Sequence, residues 1–462
     1  MTQRGTPDVE QALATGDVGS VSTAFARAFG RVESYRASLR EADSDHDPIG
    51  DARPLAGQKG FDALGKLLAG DPLAREGARR ACTALTLFRI GAPLERALFR
   101  ALREPHDLEF PTGTKSSFAA SVAALTCERE PRARAAHLDL IVAAAPDVAA
   151  PQRELSTIRR EICARLGVGH PLAYAAESPE SDLGAVAATL LTRTARLWQD
   201  VMARQKRILA DPRWTPLSGV DVARVDTAVL GWPARVSREW LVDVVPALRD
   251  RVVAPARTQM LVGASSFSRV LYSYGVELRR RSAPRSLPFF VAQDPWPRAA
   301  YKLGYMLAAL PCTIAFQRRS LGLSPGPAKD QALALTAGAL VSIRWLCARV
   351  LLALADPSSE RFTELTHATF GAPFPERLGG AWPSARLSDG ARLLSVLDAH
   401  AWSNAMVRNF DDDWFGNPRA GKDIQNQITG PMRLVEDPAA PPQPSTTRKV
   451  DELARALEAP FG

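Results

Sequence analysis

Apolar residues recur at intervals of three and four positions along most of the chain. This spacing is regular in residues 77–105, 182–210 and 331–355, and it is typical of helices that bury one face. Strict alternation of apolar and polar residues, which marks a half-buried strand, occurs in few stretches. The pattern therefore predicts an all-α protein, with at most a very small β element near residues 258–265.

Proline and glycine divide the helical pattern into segments. In residues 77–105 the sequence Gly91-Ala92-Pro93 interrupts the pattern. Proline inside a helix removes one backbone hydrogen bond and clashes with the turn before it. We therefore expect two helices there, joined as a hairpin and ended before Pro105.

One proline-rich run has the composition of a linker. It reads EDPAAPPQPSTTRK, and a short amphipathic segment follows it. No internal repeat of fixed period is visible in the sequence. We expect four parts: an N-terminal helical region over residues 1–175, a helical core over 176–435, a linker over 436–449 and a C-terminal helix over 450–462.

The composition supports a large buried core and gives the chain a basic character. Of 462 residues, 46% are hydrophobic and 23% are charged, as in typical globular proteins. Lysine and arginine outnumber aspartate and glutamate by 58 to 50, for a formal charge of +8. Most of the basic residues are arginines in helical segments, where arginine is a good helix former. We interpret them as solvated surface and do not expect a nucleic-acid partner.

The cysteines and the first residues indicate a reducing compartment. The five cysteines lie far apart in apolar surroundings, without a Cys-x-x-Cys pair, which is typical of buried thiols. The first residues, MTQRGTPDVEQAL, contain no apolar leader. The most apolar stretch, residues 331–355, contains Arg344 and Arg349, which would be costly in a bilayer. We expect a cytoplasmic protein with no membrane partner.

The histidines do not form a metal-binding pattern. All six lie in separate segments, and no two are three or four positions apart. A zinc site built on a helix needs two ligands one turn apart. No Gly-x-Ser-x-Gly elbow occurs either, and no cysteine has a histidine close to it in sequence. The sequence therefore predicts no metal and no cofactor, and no catalytic residue is assigned.

Four segments in the second half occur in a recognisable order. They are VLYSYGVELRR with Leu271 and Gly275, DPWPRAAYKLGYMLAALP with Gly304-Tyr305, SIRWLCARVLLALA, and RNFDDDWFGNPRAG with Phe410, Trp414, Pro418 and Gly421. Together, over about residues 180–425, they resemble the helical zinc metallopeptidases of the thimet-oligopeptidase and oligoendopeptidase F type. The resemblance implies a metallopeptidase-like helical core that encloses a cleft.

The positions that carry chemistry in that family have changed in this chain. The resemblance places Tyr272 and Val276 at the two zinc-binding histidines, Ser273 at the general-base glutamate and Leu303 at the third ligand. Zinc needs nitrogen, sulfur or carboxylate donors, and without a base no bound water is activated. The segment LSDGARLL also lacks the tyrosine that binds substrate in the family. The resemblance thus implies a catalytically inactive, metal-free relative.

The resulting hypothesis is a protein that binds a peptide or another protein, or that acts as a component of an assembly. Aromatic, hydrogen-bonding and cationic side chains would line its cleft. The candidates are Tyr272, Tyr274, Tyr301, Tyr305, Arg279 and Arg280. Gly275 supports close packing there, because glycine inside a helix costs about 1 kcal/mol and a plain core helix has little use for it.

Three alternatives stay open. Residues 270–280 would also suit an ordinary core helix, with the apolar stripe Leu271, Tyr274 and Leu278. The chain would be an enzyme of a different type if its cleft were re-equipped with scattered residues, namely His367, His400, Asp294 and Glu277. It would be a scaffold subunit if residues 436–462 joined it to a larger complex.

Overall fold

The structure is a computed structural model that describes residues 9–38, 49–125, 128, 130–208, 238–251, 265–355, 359–432 and 445–461. Helices make up most of this part, which confirms the predicted all-α class. Its sheet is one antiparallel pair, β1 (Pro105–Asp107) and β2 (Lys115–Ser117). The predicted strand segment 258–265 lies, except for its last residue, outside the described residues, as do most residues of the predicted linker.

The helices follow one another with short connections. Before residue 209 they are α1 (Val9–Thr15), α2 (Val18–Ser38), α3 (Gln58–Leu67), α4 (Pro72–Arg103), α5 (Phe118–Leu125), α6 (Pro131–Arg165), α7 (Pro171–Ala176), α8 (Glu180–Arg193) and α9 (Ala195–Ile208). After residue 237 they are α10 (Arg238–Val244), α11 (Ser265–Ser282), α12 (Phe289–Ala292), α13 (Arg298–Ala309), α14 (Ile314–Arg319), α15 (Pro325–Leu354), α16 (Ser359–Phe370), α17 (Asp389–Phe410), α18 (Pro418–Ile428) and α19 (Thr446–Glu458). Short 3-10 turns lie at Gly50–Leu55, Pro246–Arg251, Leu310–Cys312, Glu376–Leu378, Trp414–Gly416 and Ala459–Phe461.

Helix α4 runs without a break through Pro93, so the predicted helical hairpin is wrong. Tertiary packing explains the difference. Gly91 is buried, and a Cβ built on it would lie 2.8 Å from Cδ1 of Leu155 in α6. Most of the stability of a helix in a protein comes from such packing, and here it outweighs the hydrogen bond lost at the proline.

Three large hydrophobic clusters form the core. Helices α1 to α4 form the first together with the segment around α12, where Phe25 meets Phe290 with ring centroids 5.8 Å apart. The second cluster joins α5 to α9 with α15, α16, α17 and α19. The third surrounds α11 and α13 and includes α10, α14 and α18. The N-terminal helices therefore pack on residues 290–296 of the region predicted as a separate core.

Helices α11 and α13 touch backbone to backbone where two glycines meet. A Cβ built on Gly275 would lie 2.8 Å from the Cα of Gly304 and 2.8 Å from the carbonyl oxygen of Leu303. A Cβ built on Gly304 would lie 2.8 Å from Cγ2 of Val276 and 2.9 Å from the carbonyl oxygen of Tyr272. Carbon atoms in van der Waals contact prefer about 3.5–4.0 Å. Each position therefore requires glycine at this helix spacing.

Arg80 of α4 lies in the interior, although its segment was interpreted as solvated surface. Its side chain is 1% exposed. Nε and one terminal nitrogen donate to the two carboxylate oxygens of Asp294, each at 3.0 Å, and the terminal nitrogens also donate to the carbonyl oxygens of Tyr174 and Ala175. Arg80 thereby ties α4 to the end of α7 and to the segment before α13.

Arg344 of α15 is a second buried arginine, and it has backbone partners. Its Nε donates to the carbonyl oxygen of Thr369 at 2.7 Å, and a terminal nitrogen donates to the carbonyl of Leu191 at 3.1 Å and to the hydroxyl of Thr194 at 2.9 Å. These carbonyls lie at the C-terminal ends of α16 and α8, where a cation is favoured. Arg344 is therefore part of the core, like the helix that carries it.

Helix α15 is the one described helix that is long and apolar enough to cross a membrane by length and composition alone. In the structure it contacts α8, α14, α16 and α17, and its residues Leu340, Leu346 and Val350 belong to the second hydrophobic cluster. Its apolar length is used for packing between helices, as expected of a core helix.

Helix α19 packs back onto the core. Val450, Leu453 and Leu457 are buried in the second cluster. Lys449 Nζ lies 2.8 Å from Asp398 of α17, whose carboxylate also binds Arg298 of α13. The amphipathic segment thus uses its apolar face and an ion pair to bind its own chain.

Replacing Gly275 with alanine should destabilise the protein by about 1–3 kcal/mol, because the added methyl group would overlap Leu303 and Gly304. The matched control is Gly30→Ala. Gly30 lies inside α2 with no atom within 4 Å of a built Cβ, so alanine there should stabilise the protein by up to about 1 kcal/mol. Denaturant unfolding measures both changes, and stabilisation by both substitutions would contradict the close contact.

Candidate functional site

The positions that the resemblance assigns to a zinc site lie around one helix contact. Tyr272 and Val276 are one turn apart on α11, and both lie against Gly304 of α13. Leu303 of α13 is fully buried and faces Gly275. Ser273 lies on the exposed side of α11. Three of the four positions therefore share the α11–α13 interface.

Three of the predicted tyrosines come together beside this interface. The rings of Tyr272 and Tyr305 are 4.8 Å apart between centroids, with an interplanar angle of 59°. The guanidinium of Arg392 in α17 lies 5.2 Å from the ring centroid of Tyr301 and 6.0 Å from that of Tyr272. We call Tyr272, Tyr301 and Tyr305 the tyrosine cluster.

Tyr274 lies on a different side of α11. Helical residues two positions apart in sequence are rotated by about 200° around the helix axis. Residues 272 and 274 therefore face nearly opposite directions. Tyr274 is 5% exposed and packs in the third hydrophobic cluster with residues such as Phe267 and Leu271. Its hydroxyl has no hydrogen-bond partner among the described residues. Helix geometry alone separates this residue from the other three tyrosines.

The two predicted arginines have different surroundings. Arg279 is 4% exposed and donates to the carbonyl oxygens of Gly430 and Pro431 after α18, and burial lowers its pKa to about 10. Its guanidinium is used within the fold. Arg280 is half-buried, and its Nε has no partner among the described residues. The positive charge of Arg280 opposes the rise in the pKa of Tyr272 that burial causes. Of the two arginines, only Arg280 is therefore near the tyrosine cluster.

Sequence reasoning missed four candidate functional residues, Arg349, Arg386, Asp389 and Arg392. Asp389, at the start of α17, is fully buried and accepts from Nε of Arg349 in α15 at 2.9 Å. The same oxygen accepts from the backbone N–H of Arg386 at 2.8 Å. Arg392 follows one turn later on α17. Asp389 and Arg392 are three residues apart on α17, so their common face was readable from the sequence, whereas Arg386 lies before the helix.

Burial favours the neutral form of Tyr272 and Tyr305. It raises the pKa of Tyr305 to about 12 and the pKa of Tyr272 further above its ordinary value. A neutral phenol both donates and accepts hydrogen bonds. The Tyr272 hydroxyl, Nε of Arg392 and one oxygen of Asp389 are buried without a partner in the described part of the chain. Buried polar atoms are normally paired, so this place has unused capacity for hydrogen bonds.

The residues of the enzyme alternative are engaged in separate places. Asp294 binds Arg80, Glu277 binds Arg281 on the same helix, and His400 lies 3.1 Å from Asn404. His367 is exposed on α16. Across the described residues there is also no group of three or more His, Cys, Asp or Glu side chains that could hold a metal ion. The geometry therefore offers no acid–base pair or metal ligand set from these positions.

An open surface depression of about 700 Å³ lies elsewhere, between α4, α7 and the start of α8. Arg80 is at its base, and Glu76, Tyr174 and Glu177 are among its lining residues. Arg80 is already saturated by Asp294 and backbone carbonyls. No residue of α11 or α13 lines this depression.

Comparison with protein families and with curated proteins finds no match. No protein-family model matches the chain, and no curated protein is detectably similar to it. The metallopeptidase resemblance thus depends on the order of the four segments and on the residues within them. It stays a prediction.

His170, beside the depression, should make the protein less stable in mild acid. Its Nδ1 accepts the backbone N–H of Leu172 at the start of α7, and protonation would abolish that acceptor. Burial lowers its pKa below the usual value of 6.5. Since the folded protein resists protonation, this contribution is complete above about pH 6.5 and is lost as the pH falls through the folded-state pKa.

Asparagine at position 170 provides the test, because it also caps helices and does not titrate. His170→Asn should keep stability at pH 7.5 close to that of the original protein. Between pH 7 and 5 it should lose less stability than the original protein, by up to about 1 kcal/mol. Burial also lowers the pKa of His137 and His400, so part of the pH dependence will persist. Identical pH profiles by denaturant unfolding would contradict the capping role.

Proposed function

We propose that the protein is a non-metal relative of the helical zinc metallopeptidases that binds a peptide or protein segment without hydrolysing it. The collinear segments of the second half support the relationship. The packing of α11 against α13 also supports it, because both are helices to which the resemblance assigns zinc ligands. Binding would take place at the tyrosine cluster, beside the residues that replace those ligands.

The observation that carries this proposal is the chemistry at the α11–α13 interface. Where a peptidase of the family would have zinc, this chain has Tyr272 in ring contact with Tyr305. The guanidinium of Arg392 lies over the rings of both Tyr272 and Tyr301. Tyrosine has a large apolar ring and a polar hydroxyl, a combination suited to binding peptides at modest entropic cost. None of these groups is a zinc ligand of the usual kind or a base at neutral pH.

The scaffold alternative has less support. It relied on residues 436–462 as a connection to other proteins, but α19 buries Val450, Leu453 and Leu457 against its own chain. The enzyme alternative relied on His367, His400, Asp294 and Glu277. In the described part of the chain, no hydrogen bond or ion pair joins any two of these residues. Neither alternative has an observation equivalent to the tyrosine cluster.

Metal analysis and a peptidase assay test the inactive character. Protein purified without chelator should contain far less than one zinc per chain, and adding zinc should produce no cleavage of a mixed peptide library followed by mass spectrometry. The melting temperature should not change with a chelator. Stoichiometric zinc, or cleavage that a chelator abolishes, would overturn the proposal.

Two tyrosines of α11 form a matched pair for the binding test. Tyr272→Phe removes a hydroxyl from the tyrosine cluster, and Tyr274→Phe removes a buried hydroxyl that faces the third hydrophobic cluster. For peptides selected from an array of mixed sequences, Tyr272→Phe should weaken binding by about five-fold, the effect of one hydrogen bond. Tyr274→Phe should leave it unchanged. Equal effects of the two substitutions, measured by titration calorimetry, would place binding elsewhere.

A further inference from the structure

Positive charge exceeds negative charge beside the tyrosine cluster. Three arginines converge there from two elements and a connection: Arg349 from α15, Arg386 from the segment before α17, and Arg392 from α17. One carboxylate, Asp389, accepts from the side chain of Arg349 and from the backbone N–H of Arg386. Desolvation, and then the positive charge of Arg392, lowers the pKa of Arg386. The arginines are therefore close enough to repel one another, and a second negative charge would relieve that repulsion.

Asp389 satisfies only one of the three guanidinium groups. Its Oδ2 accepts from Nε of Arg349 and from the backbone N–H of Arg386. The guanidinium groups of Arg386 and Arg392 have no ion pair with any carboxylate in the described ranges. Arg386 is exposed and Arg392 is half-buried. Two guanidinium groups thus remain for a ligand, and Asp389 positions the backbone that carries one of them.

The tyrosine rings hold Arg392 in a defined orientation. Its guanidinium lies near the faces of Tyr301 and Tyr272, and contact of this kind with an aromatic ring leaves the N–H groups at the edge of the guanidinium plane available. That edge has the planar fork that matches two oxygens of a carboxylate or phosphate group.

The unpartnered donors point to the same ligand chemistry. Nε–H of Arg392 and the hydroxyl of Tyr272 are both buried, and neither has a hydrogen-bond partner among the described residues. An N–H group can only donate, and a neutral phenol is able to donate. A ligand rich in acceptor oxygens would satisfy both donors and the excess positive charge, whereas a cationic ligand would be repelled.

We infer that Arg386, Arg392 and Tyr272 form a binding site for an oxyanion, the carboxylate or phosphate group of a ligand. Arg386 and Arg392 bind its charged oxygens, and Tyr272 donates one hydrogen bond. Arg349 and Asp389 are positioning residues behind this contact. The inference rests on the proposed function only in that it assigns an acidic group of the bound segment to the same site.

The test measures binding of small probes to the full chain by titration calorimetry at low salt. The probes are inorganic phosphate, N-acetyl-dialanine with its free carboxylate, and the C-terminal amide of the same dipeptide. Phosphate and the carboxylate identify the two sources of an oxyanion, and the amide differs from the carboxylate in charge. At least one anion should bind, more weakly as salt is added, and the amide should not bind measurably.

Variants connect this binding to the site. Arg386→Gln and Arg392→Gln should each weaken anion binding by about ten-fold or more, as expected for the loss of a charged hydrogen-bond partner. The control is Arg408→Gln, which removes an exposed arginine near the other end of α17 and should leave binding unchanged. Because Arg386 is exposed, its variant remains informative even if Arg392→Gln fails to fold.

The outcomes separate this inference from the proposed function. Absence of anion binding, or equal loss in all three arginine variants, overturns the oxyanion site. If selected peptides bind and Arg386→Gln does not weaken that binding, the peptide-binding proposal stands and the oxyanion site fails. If phosphate binds with the predicted loss in Arg386→Gln while no peptide binds, the oxyanion site stands and the peptide-binding proposal fails.

Discussion

The direct backbone contact between α11 and α13 determines the geometry of the candidate site. At Gly275 and Gly304 the helices approach too closely for any side chain, so their separation is set by main-chain atoms. Tyr272 and Val276 lie against Gly304 as a consequence, and the Tyr272 ring reaches Tyr305, the residue that follows Gly304. A wider spacing would separate these rings and expose the polar atoms that the interface now buries.

Buried arginines hold the surrounding helices in place. Arg80 connects α4, α7 and the segment that leads into α13 through a two-oxygen contact with Asp294 and two carbonyl oxygens. Arg344 connects α15 to the ends of α8 and α16 through the carbonyl oxygens of Leu191 and Thr369 and the hydroxyl of Thr194. Carbonyl groups at the C-terminal end of a helix lack partners within it and carry partial negative charge. A buried guanidinium has several N–H donors, so it can bind several of these carbonyl groups while its own donors stay hydrogen-bonded. These arginines therefore hold helices together and also place positive charge at the helix ends.

The candidate site combines two environments that favour different parts of a ligand. The tyrosine cluster is largely apolar, and burial raises the pKa of Tyr272 and Tyr305. Beside it, Arg386 and Arg392 have no partner carboxylate of their own in the described residues. Aromatic surface next to fixed positive charge suits a molecule with an apolar part and an acidic group.

The sequence alone determined the helical class, since apolar spacing is a local property that any long amphipathic segment displays. It also indicated that Gly275 needed a reason in its packing, and three of its four candidate tyrosines converge in the structure. The break expected at Pro93 and the surface position expected for Arg80 were wrong, because contacts from helices distant in sequence outweigh local preference at those residues. The meeting of Arg349, Arg386 and Arg392 with the tyrosine cluster was likewise decided by tertiary structure. Sequence spacing places Asp389 and Arg392 on one face of α17, but only the packing of α11, α13, α15 and α17 determines what that face meets.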